Sequence, residues 1–284
     1  MSGGPDSLAL LALCQAVLPD RIAVATVDHG LRPESAAEAR EVADLCRDIG
    51  VPSEILSVRV EPGNVQANAR DARYAALSDW AQDRCAVVAT AHHADDQAET
   101  VLMRLNRGAG LSGLAGVRAR ALLTRDIPLV RPLLGWRKNE LVAVVERMGW
   151  TAANDPSNRD DRFDRAVLRK RLAGCDWLDI GGLAQSASHL AEVEDDVLQR
   201  CAIEIAANVV SQGERTTYRP HAGRYIRKRV LQMLLAERGR TVSLTQVANL
   251  VDRLERGEPA NVASFLISPA DGEWRLVPEP PRKA

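Results

Sequence analysis

Ser2-Gly3-Gly4-Pro5-Asp6-Ser7 runs directly into the apolar segment Leu8–Val17, and this junction decides how the first half of the chain reads. Two adjacent glycines let the backbone turn with positive φ and come close to an anion. The N–H groups that follow, with a helix N-terminus behind them, then face that anion. Pro5 suits the first helical position, where no N–H is needed. Ser2 and Ser7 add hydroxyl donors, and Asp6 is placed to help hold a divalent cation beside phosphate groups. No Gly-Lys-Ser/Thr follows, so this is not a Walker loop. By itself the hexapeptide also fits a serine-rich helix cap.

Outward from the loop, strand-like and helix-like segments alternate. Ile22–Asp28 is a β-branched, apolar strand, and Pro33–Ile49 has helical periodicity ending at Gly50. Ser53–Val60 is the next strand. Val65–Asp83 is the next helix, with Ala69, Ala72, Ala76, Leu77 and Trp80 on one face. A strand at Ala86–Ala91 and a helix at Ala94–Arg107 follow. This alternation predicts an α/β domain, a parallel sheet with helices on both faces, that binds ligands at the carboxyl ends of its strands. Gly108–Gly116 reads as a mobile glycine-rich loop, Trp136–Met148 as helix and Asn154–Asp161 as polar turns. Beyond it Leu183–Val210, Ala222–Glu237 and Leu244–Arg256 read as helices. Ser264–Ile267 and Trp274–Val277 form a hairpin around Asp271-Gly272. The expected organisation is therefore a catalytic domain over 1–182 and a smaller, mainly helical C-terminal domain over 183–284, with the long helix as connector.

The stretch Thr90–Thr100 (TAHHADDQAET) carries the most chemistry. His92, Asp96 and Glu99 stand at i, i+4 and i+7, so one helix face presents an imidazole and two carboxylates at a strand end. That face suits a metal, a general base or a cationic substrate. It also fits a capped helix with exposed acids. Asp28 and His29 end an earlier strand in the same crevice, where adenosine could lie.

Charge is divided unevenly. Residues 1–100 hold 8 Arg against 16 Asp and Glu, whereas the remainder holds 29 Lys and Arg against 22. Arg104, Arg107, Arg118, Arg120, Arg125, Arg131, Arg137 and Lys138 face only Asp126 within 104–138. A second basic cluster comprises Arg215, Arg219, Arg224, Arg227, Lys228 and Arg229. Such stripes suit a polyanion that releases counterions on binding, although a solvated face has the same composition. The five cysteines are widely spaced without a C-x-x-C pair, which leaves disulfide, zinc and iron–sulfur readings without support. Apolar runs such as Leu8–Leu13 are too short to span a membrane, no basic-then-apolar leader is evident, and a reducing cytoplasm is the expected location.

The loop string resembles the S-G-G-x-D-S signature of the PP-loop ATP pyrophosphatases, of adenine nucleotide alpha-hydrolase-like fold, which cleave ATP between its α and β phosphates. Val27-Asp28-His29-Gly30-Leu31-Arg32 resembles the V-D-H-G-L-R string of the lysidine synthetases within that family. The run from Ala91 to Leu114 resembles their A-H-H-x-D-D-Q-x-E-T, helix, R-G-x-G and G-L pattern. Arg131-Pro132-Leu133-Leu134, Asp155-Pro156-Ser157-Asn158, Asn68-Ala69-Arg70 and Arg73-Tyr74 match further family strings. The likeness is strong over about 2–172 and only in outline beyond. It departs at Ala166, where F-x-R-N-x-[IL]-R has Asn, and the second C-terminal domain of longer members is not expected.

The resemblance implies ATP-dependent adenylation of the wobble cytidine of an isoleucine tRNA with a CAU anticodon, followed by attack of free L-lysine. It implies that Ser2, Gly3, Gly4, Pro5, Asp6 and Ser7 cradle the phosphates, with Mg²⁺ on Asp6, and that Asp28 and His29 meet ATP. Asp6, His92, Asp96 and Glu99 are the expected catalytic set, with Asp96 and Glu99 holding lysine ammonium groups or taking a proton. Arg70 and Arg73 are expected on phosphate, and Arg104, Arg107, Arg131, Arg224, Arg227 and Arg229 on tRNA. A tRNA thiolase would normally show cysteine pairs, and a non-enzymatic nucleotide sensor would not need the acid–imidazole face. Family members carry a buried strand before the loop, worth on the order of 10 kcal/mol for six apolar residues, against a domain's net ~5–15 kcal/mol. Only Met1 precedes Ser2, so the functional protein is expected to begin upstream with that strand, the 284-residue form being truncated or misassigned.

Overall fold

The computed structural model describes the chain except residues 31–34, 64, 85, 125, 154–163, 173 and 280–284, and gives the backbone alone at 66, 164 and 166. Leu31 and Arg32, the 154–161 turns and Phe163 therefore lie outside the described residues. The chain divides into two compact units, Met1–Leu190 and Ala191–Ala284. The division falls inside the long helix over Ile180–Asn208, later than the expected boundary near 182.

In the first unit the order is α1 (Pro5–Val17), β1 (Val24–Asp28), α2 (Ser35–Asp48), β2 (Ser53–Ser57), α3 (Val65–Gln82), β3 (Val88–Ala89) and α4 (Ala94–Asn106). Then follow α5 (Leu111–Leu114), β4 (Arg120–Leu122), β5 (Pro128–Val130), α6 (Lys138–Arg147), α7 (Asp164–Leu172) and α8 (Ile180–Asn208). α1 is apolar on more than one side because more than one side is covered. Leu8 and Ala9 pack with Leu133, Leu141 and Val145, while Leu11 packs with Val24, Val42, Cys46 and Val51. Each such leucine contributes roughly 1.5–3 kcal/mol by leaving water.

The parallel pairing expected of this α/β unit is present but divided. β1 and β2 form one parallel pair, and β3 lies parallel to β5, whose other edge carries antiparallel β4. α3 packs against both β1 and β3. β3 is shorter than the expected 86–91 strand, although Thr90 N still donates to Val130 O at 3.0 Å. The 108–116 segment is also not a free loop. It contains the single turn α5, and Arg104 Nη1 donates to Gly113 O and Gly116 O, both at 2.9 Å. Gln97 pins its end by exchanging hydrogen bonds with Val117 O and N at 3.0 and 2.6 Å.

The second unit holds the C-terminal part of α8, then β6 (Val209–Gln212), β7 (Arg215–Tyr218), α9 (Arg224–Ala236), α10 (Leu244–Glu255), β8 (Ala260–Val262), β9 (Phe265–Ala270) and β10 (Glu273–Pro278). The helices are where periodicity puts them. The hairpin turns at Asp271 and Gly272, both with positive φ (+54° and +76°), as a tight turn between twisted strands requires. It belongs, however, to a five-stranded antiparallel sheet of order β6-β7-β10-β9-β8, so sheet joins the helices expected there. Val230, Leu231, Leu234 and Leu235 of α9 and Val247, Leu250, Val251 and Leu254 of α10 form the core with Ile267, Leu276 and Tyr218. Tyr218 meets Trp274 edge to face at 5.5 Å.

Candidate active site

The loop before α1 is built as its residues require. Gly3 is buried with φ +71°, and a Cβ there would stand 3.2 Å from Val42 Cγ2. Its carbonyl accepts from Ala153 N at 2.9 Å, fixing the turn from the opposite side. Gly4 is the N-cap in extended conformation and Pro5 the first helical residue. Ser7 Oγ donates to Gly4 O at 2.9 Å and lies 3.3 Å from Ser2 Oγ. Asp6 follows in the first turn.

α4 opens against this loop. Its N-cap is His93, whose N–H donates to Asp96 Oδ2 at 3.2 Å in a capping arrangement. The His93 side chain is 2% exposed and enclosed by three carboxylates. Nε2 is 3.5 Å from Asp6 Oδ2 and from Asp96 Oδ2, and Nδ1 is 3.6 Å from Asp95 Oδ2. Burial alone would lower its pKa, but pairing with Asp6 and Asp95 and the Asp96 charge prevail and push it up to about 9. Burial likewise opposes ionisation of Asp6. The His93 contact and the charges of Lys138, with Nζ at 3.8 Å, and Arg169 outweigh it and hold the carboxyl below its usual range. Asp95 is held lower still despite its burial. It pairs with His93 and accepts from Arg137 Nε and Nη2 at 3.3 and 3.2 Å and from Lys138 N at 2.8 Å.

His92 lies in the opposite electrostatic setting. Burial lowers its pKa, Asp96 resists, and Arg131, Arg70 and Arg165 add to the fall, to about 4. It is a neutral imidazole, with Nδ1 3.1 Å from Thr90 Oγ1. Asp96 is partly exposed and borders this group, His93 and Arg169, whose Nη2 is 3.9 Å from Asp96 Oδ1. Glu99 differs from the expected open carboxylate. It is 2% exposed and closed by Arg169, with Nε on Oε1 at 2.7 Å and Nη2 on Oε2 at 3.1 Å.

At the end of β1, Asp28 Oδ1 accepts from Ser35 Oγ at 2.6 Å and from Gly30 N at 2.9 Å, which together hold its pKa down. His29 is lowered by burial and by the Arg73 charge, and its Nδ1 is buried without a hydrogen-bond partner among the described residues. The guanidinium groups of Arg70 and Arg73 lie 4.6 and 5.4 Å from the Tyr74 ring centre.

The structure gives several expected tRNA-facing arginines other work. Arg104 ties down the glycine-rich segment, and Arg131 is buried with Nη1 on Arg118 O at 2.6 Å. Arg224 pairs with Asp252 and Glu255, and Arg227 with Glu255 and the Ala222 carbonyl. Arg229 is buried against Glu194, its side chain 12% exposed. Arg215 and Arg219, from the same basic cluster, line an open cavity of about 530 Å³ with Asn208, Gln212, Thr217, His221 and Glu273, to which Arg219 Nη2 donates at 2.6 Å.

His93, Arg137, Lys138 and Arg169 are members of the site that spacing alone does not single out. His93 is signalled by its place before a helical start with Asp three residues on and by the second His of the A-H-H-x-D-D string. Arg169 closes a family string and lies 70 residues from its partner. For a cation, Asp6 Oδ1 is the apt donor. It is buried without a hydrogen-bond partner among the described residues, whereas Oδ2 faces His93 and Lys138. No three acidic, histidine or cysteine side chains converge on a metal position among the described residues. A hard cation there would complete its shell with phosphate and water oxygens, the usual pattern for Mg²⁺.

A PP-loop domain model matches residues 1–174. A tRNA(Ile)-lysidine synthase from Novosphingobium aromaticivorans is 44% identical over all of this chain and 89% of its own length. One from Zymomonas mobilis is 38% identical over all of this chain and 88% of its own. Among solved structures, a U34-tRNA thiolase, NcsA, from Methanococcus maripaludis aligns with TM-score 0.52 and 16% identity, covering 70% of this chain and 71% of that one, a likeness of fold alone. By the matched domain and by relatives of this identity and coverage, the chain belongs to the tRNA(Ile)-lysidine synthase family of PP-loop proteins.

Proposed function

We propose that this chain is a carbon–nitrogen ligase that joins free L-lysine to carbon 2 of the wobble cytidine in a CAU-anticodon isoleucine tRNA, using ATP. The observation that carries the reading is one cluster joining the phosphate loop to the acidic start of α4. Asp6, His93 and Asp96 stand within 3.5 Å contacts of one another through the imidazole. In the first step the cytidine O2 attacks the α-phosphorus and pyrophosphate leaves. The loop N–H groups of Ser2–Ser7 and the α1 N-terminus receive the charge that develops on it. Asp6, together with the ATP phosphates, would hold Mg²⁺, which would supply further charge neutralisation there when bound. Lysine's side-chain amine then attacks carbon 2, its proton passes to solvent water, and the O2–carbon 2 bond breaks so that AMP leaves with that oxygen. Asp96 holds an ammonium group of the lysine. Neutral His92, beside Arg70 and Arg131, is suited to orient substrate by hydrogen bonding.

The tRNA backbone is met by Arg70 and Arg73 near the crevice and by Arg215 and Arg219 on the C-terminal sheet. Arg107 contributes from the end of α4. Pyrophosphate release measured with and without tRNA and lysine tests the reading. Release that depends on tRNA(Ile), with product formation requiring lysine, is expected. Turnover that needs a sulfur donor instead would overturn it.

A further inference from the structure

The phosphate loop has no lysine of its own, yet the fold brings one to its mouth. Lys138 is the first residue of α6, and Leu141, one turn on, packs against Leu8 and Ala9 of α1. Residues three apart share a helix face, so Lys138 is turned toward the start of α1. There its Nζ stands 3.8 Å from Asp6 Oδ2. A cation in the first turn of a helix opposes the helix dipole, so α6 itself gains nothing from this lysine. The Lys138 N–H is meanwhile fixed on Asp95 Oδ2 at 2.8 Å, which anchors the backbone and leaves the side chain to swing.

The other cations around Asp6 and the start of α4 are committed. His93 is enclosed by three carboxylates, Arg137 forks onto Asp95, and Arg169 onto Glu99. The Lys138 ammonium makes no hydrogen bond among the described residues, its Asp6 contact being longer than one, and its side chain is 41% exposed. An ammonium is a compact point charge with three donors on a flexible stem, suited to follow a phosphate that moves. In a Walker loop, a lysine within the loop reaches the β- and γ-phosphates. Here, as cytidine O2 bonds to the α-phosphorus, the bond from that phosphorus to the bridging oxygen breaks. Its electron pair stays on the oxygen, which leaves as part of pyrophosphate. We propose that Lys138 is a further catalytic residue, whose ammonium swings from Asp6 to the β- and γ-phosphates of ATP and neutralises the charge that forms on departing pyrophosphate. This deepens the ATP-dependent reading and rests on it.

Equilibrium titration of pyrophosphate with Mg²⁺, and separately of AMP, into the full chain tests this without turnover. AMP lacks the β- and γ-phosphates and serves as the control ligand. Lys138→Met is expected to weaken pyrophosphate binding about 10- to 100-fold, the worth of one charge-assisted contact, and to leave AMP binding unchanged. Lys138→Arg restores part of the loss. In tRNA-dependent pyrophosphate release, kcat falls in Lys138→Met while the KM for lysine stays. Each variant keeps the backbone N–H that meets Asp95, so a merely structural role would not separate the two ligands. Should Lys138→Met unfold, Lys138→Gln keeps a polar end and must show the same split. Unchanged pyrophosphate affinity, or an equal weakening of pyrophosphate and AMP, overturns the proposal while the ATP-dependent reading stands. An unaltered protein that binds neither ATP nor pyrophosphate would sink both.

Discussion

Replacing His93 by Asn removes the imidazole that three carboxylates enclose, and its cost should depend on pH with a definite sign. The His93 pKa rises from an ordinary 6.5 to about 9 in the folded protein. A group whose folded pKa is raised contributes stability that is complete below its unfolded pKa and is lost as pH rises through the folded one. At ~1.36 kcal/mol per pKa unit, that contribution is on the order of 3 kcal/mol below pH 6.5 and is largely gone by pH 10. The imidazole is shielded from water, its side chain 2% exposed, so solvent screening does little to reduce the figure. His93→Asn should thus lose several kcal/mol near pH 6 and markedly less near pH 10, where the unaltered protein has itself lost the proton. Hydrogen exchange of α1 and α4 amides, corrected for intrinsic rates and run without Mg²⁺ or nucleotide, reads the difference. A penalty that stays constant from pH 6 to 10, or grows, would show that the imidazole is not held as a cation by Asp6, Asp95 and Asp96.

Gly3→Ala puts a side chain at φ +71° and 3.2 Å from Val42 Cγ2. A loss of roughly 1–3 kcal/mol with weaker ATP binding is expected, checked by urea unfolding and nucleotide titration. Arg229→Met leaves Glu194 buried and unpaired, so the second unit should lose about 3–5 kcal/mol, and adding Glu194→Leu should recover most of it in the same melts. Arg215→Ala should weaken tRNA binding on all sequences alike and lower the salt-dependence slope by about 1 in filter binding at several salt concentrations, with ATP affinity intact.

Local chemistry made much of this legible. Gly3 and Pro5 dictate the loop and the start of α1 through a positive φ and a fixed φ, and Asp271-Gly272 dictates its hairpin through positive φ. The apolar periodicity of α9 and α10 survives because each buries one face, whereas on α3 the buried residues are Ser78 and Ala81 and the expected face is only half-buried. Pairing over distance is less visible. β6 (VVSQ) continues the apolar pattern of α8, so nothing local marks where helix becomes strand. Arg227 and Arg229 lie two residues apart on α9, yet Glu255 meets one and buried Glu194 the other. Composition counts both as basic surface. Glu99 follows Asp96 by one helical turn and so reads as its equal, until Arg169 on α7 closes it.

The account stands or falls on the product. tRNA(Ile) with a CAU anticodon is incubated with the chain, ATP and lysine, then digested to nucleosides and weighed. A wobble cytidine carrying one lysine, formed only when ATP and lysine are both present and with AMP and pyrophosphate released in equal amounts, is the predicted result. An unmodified cytidine alongside ATP consumption, or a sulfur-bearing nucleoside, would contradict it.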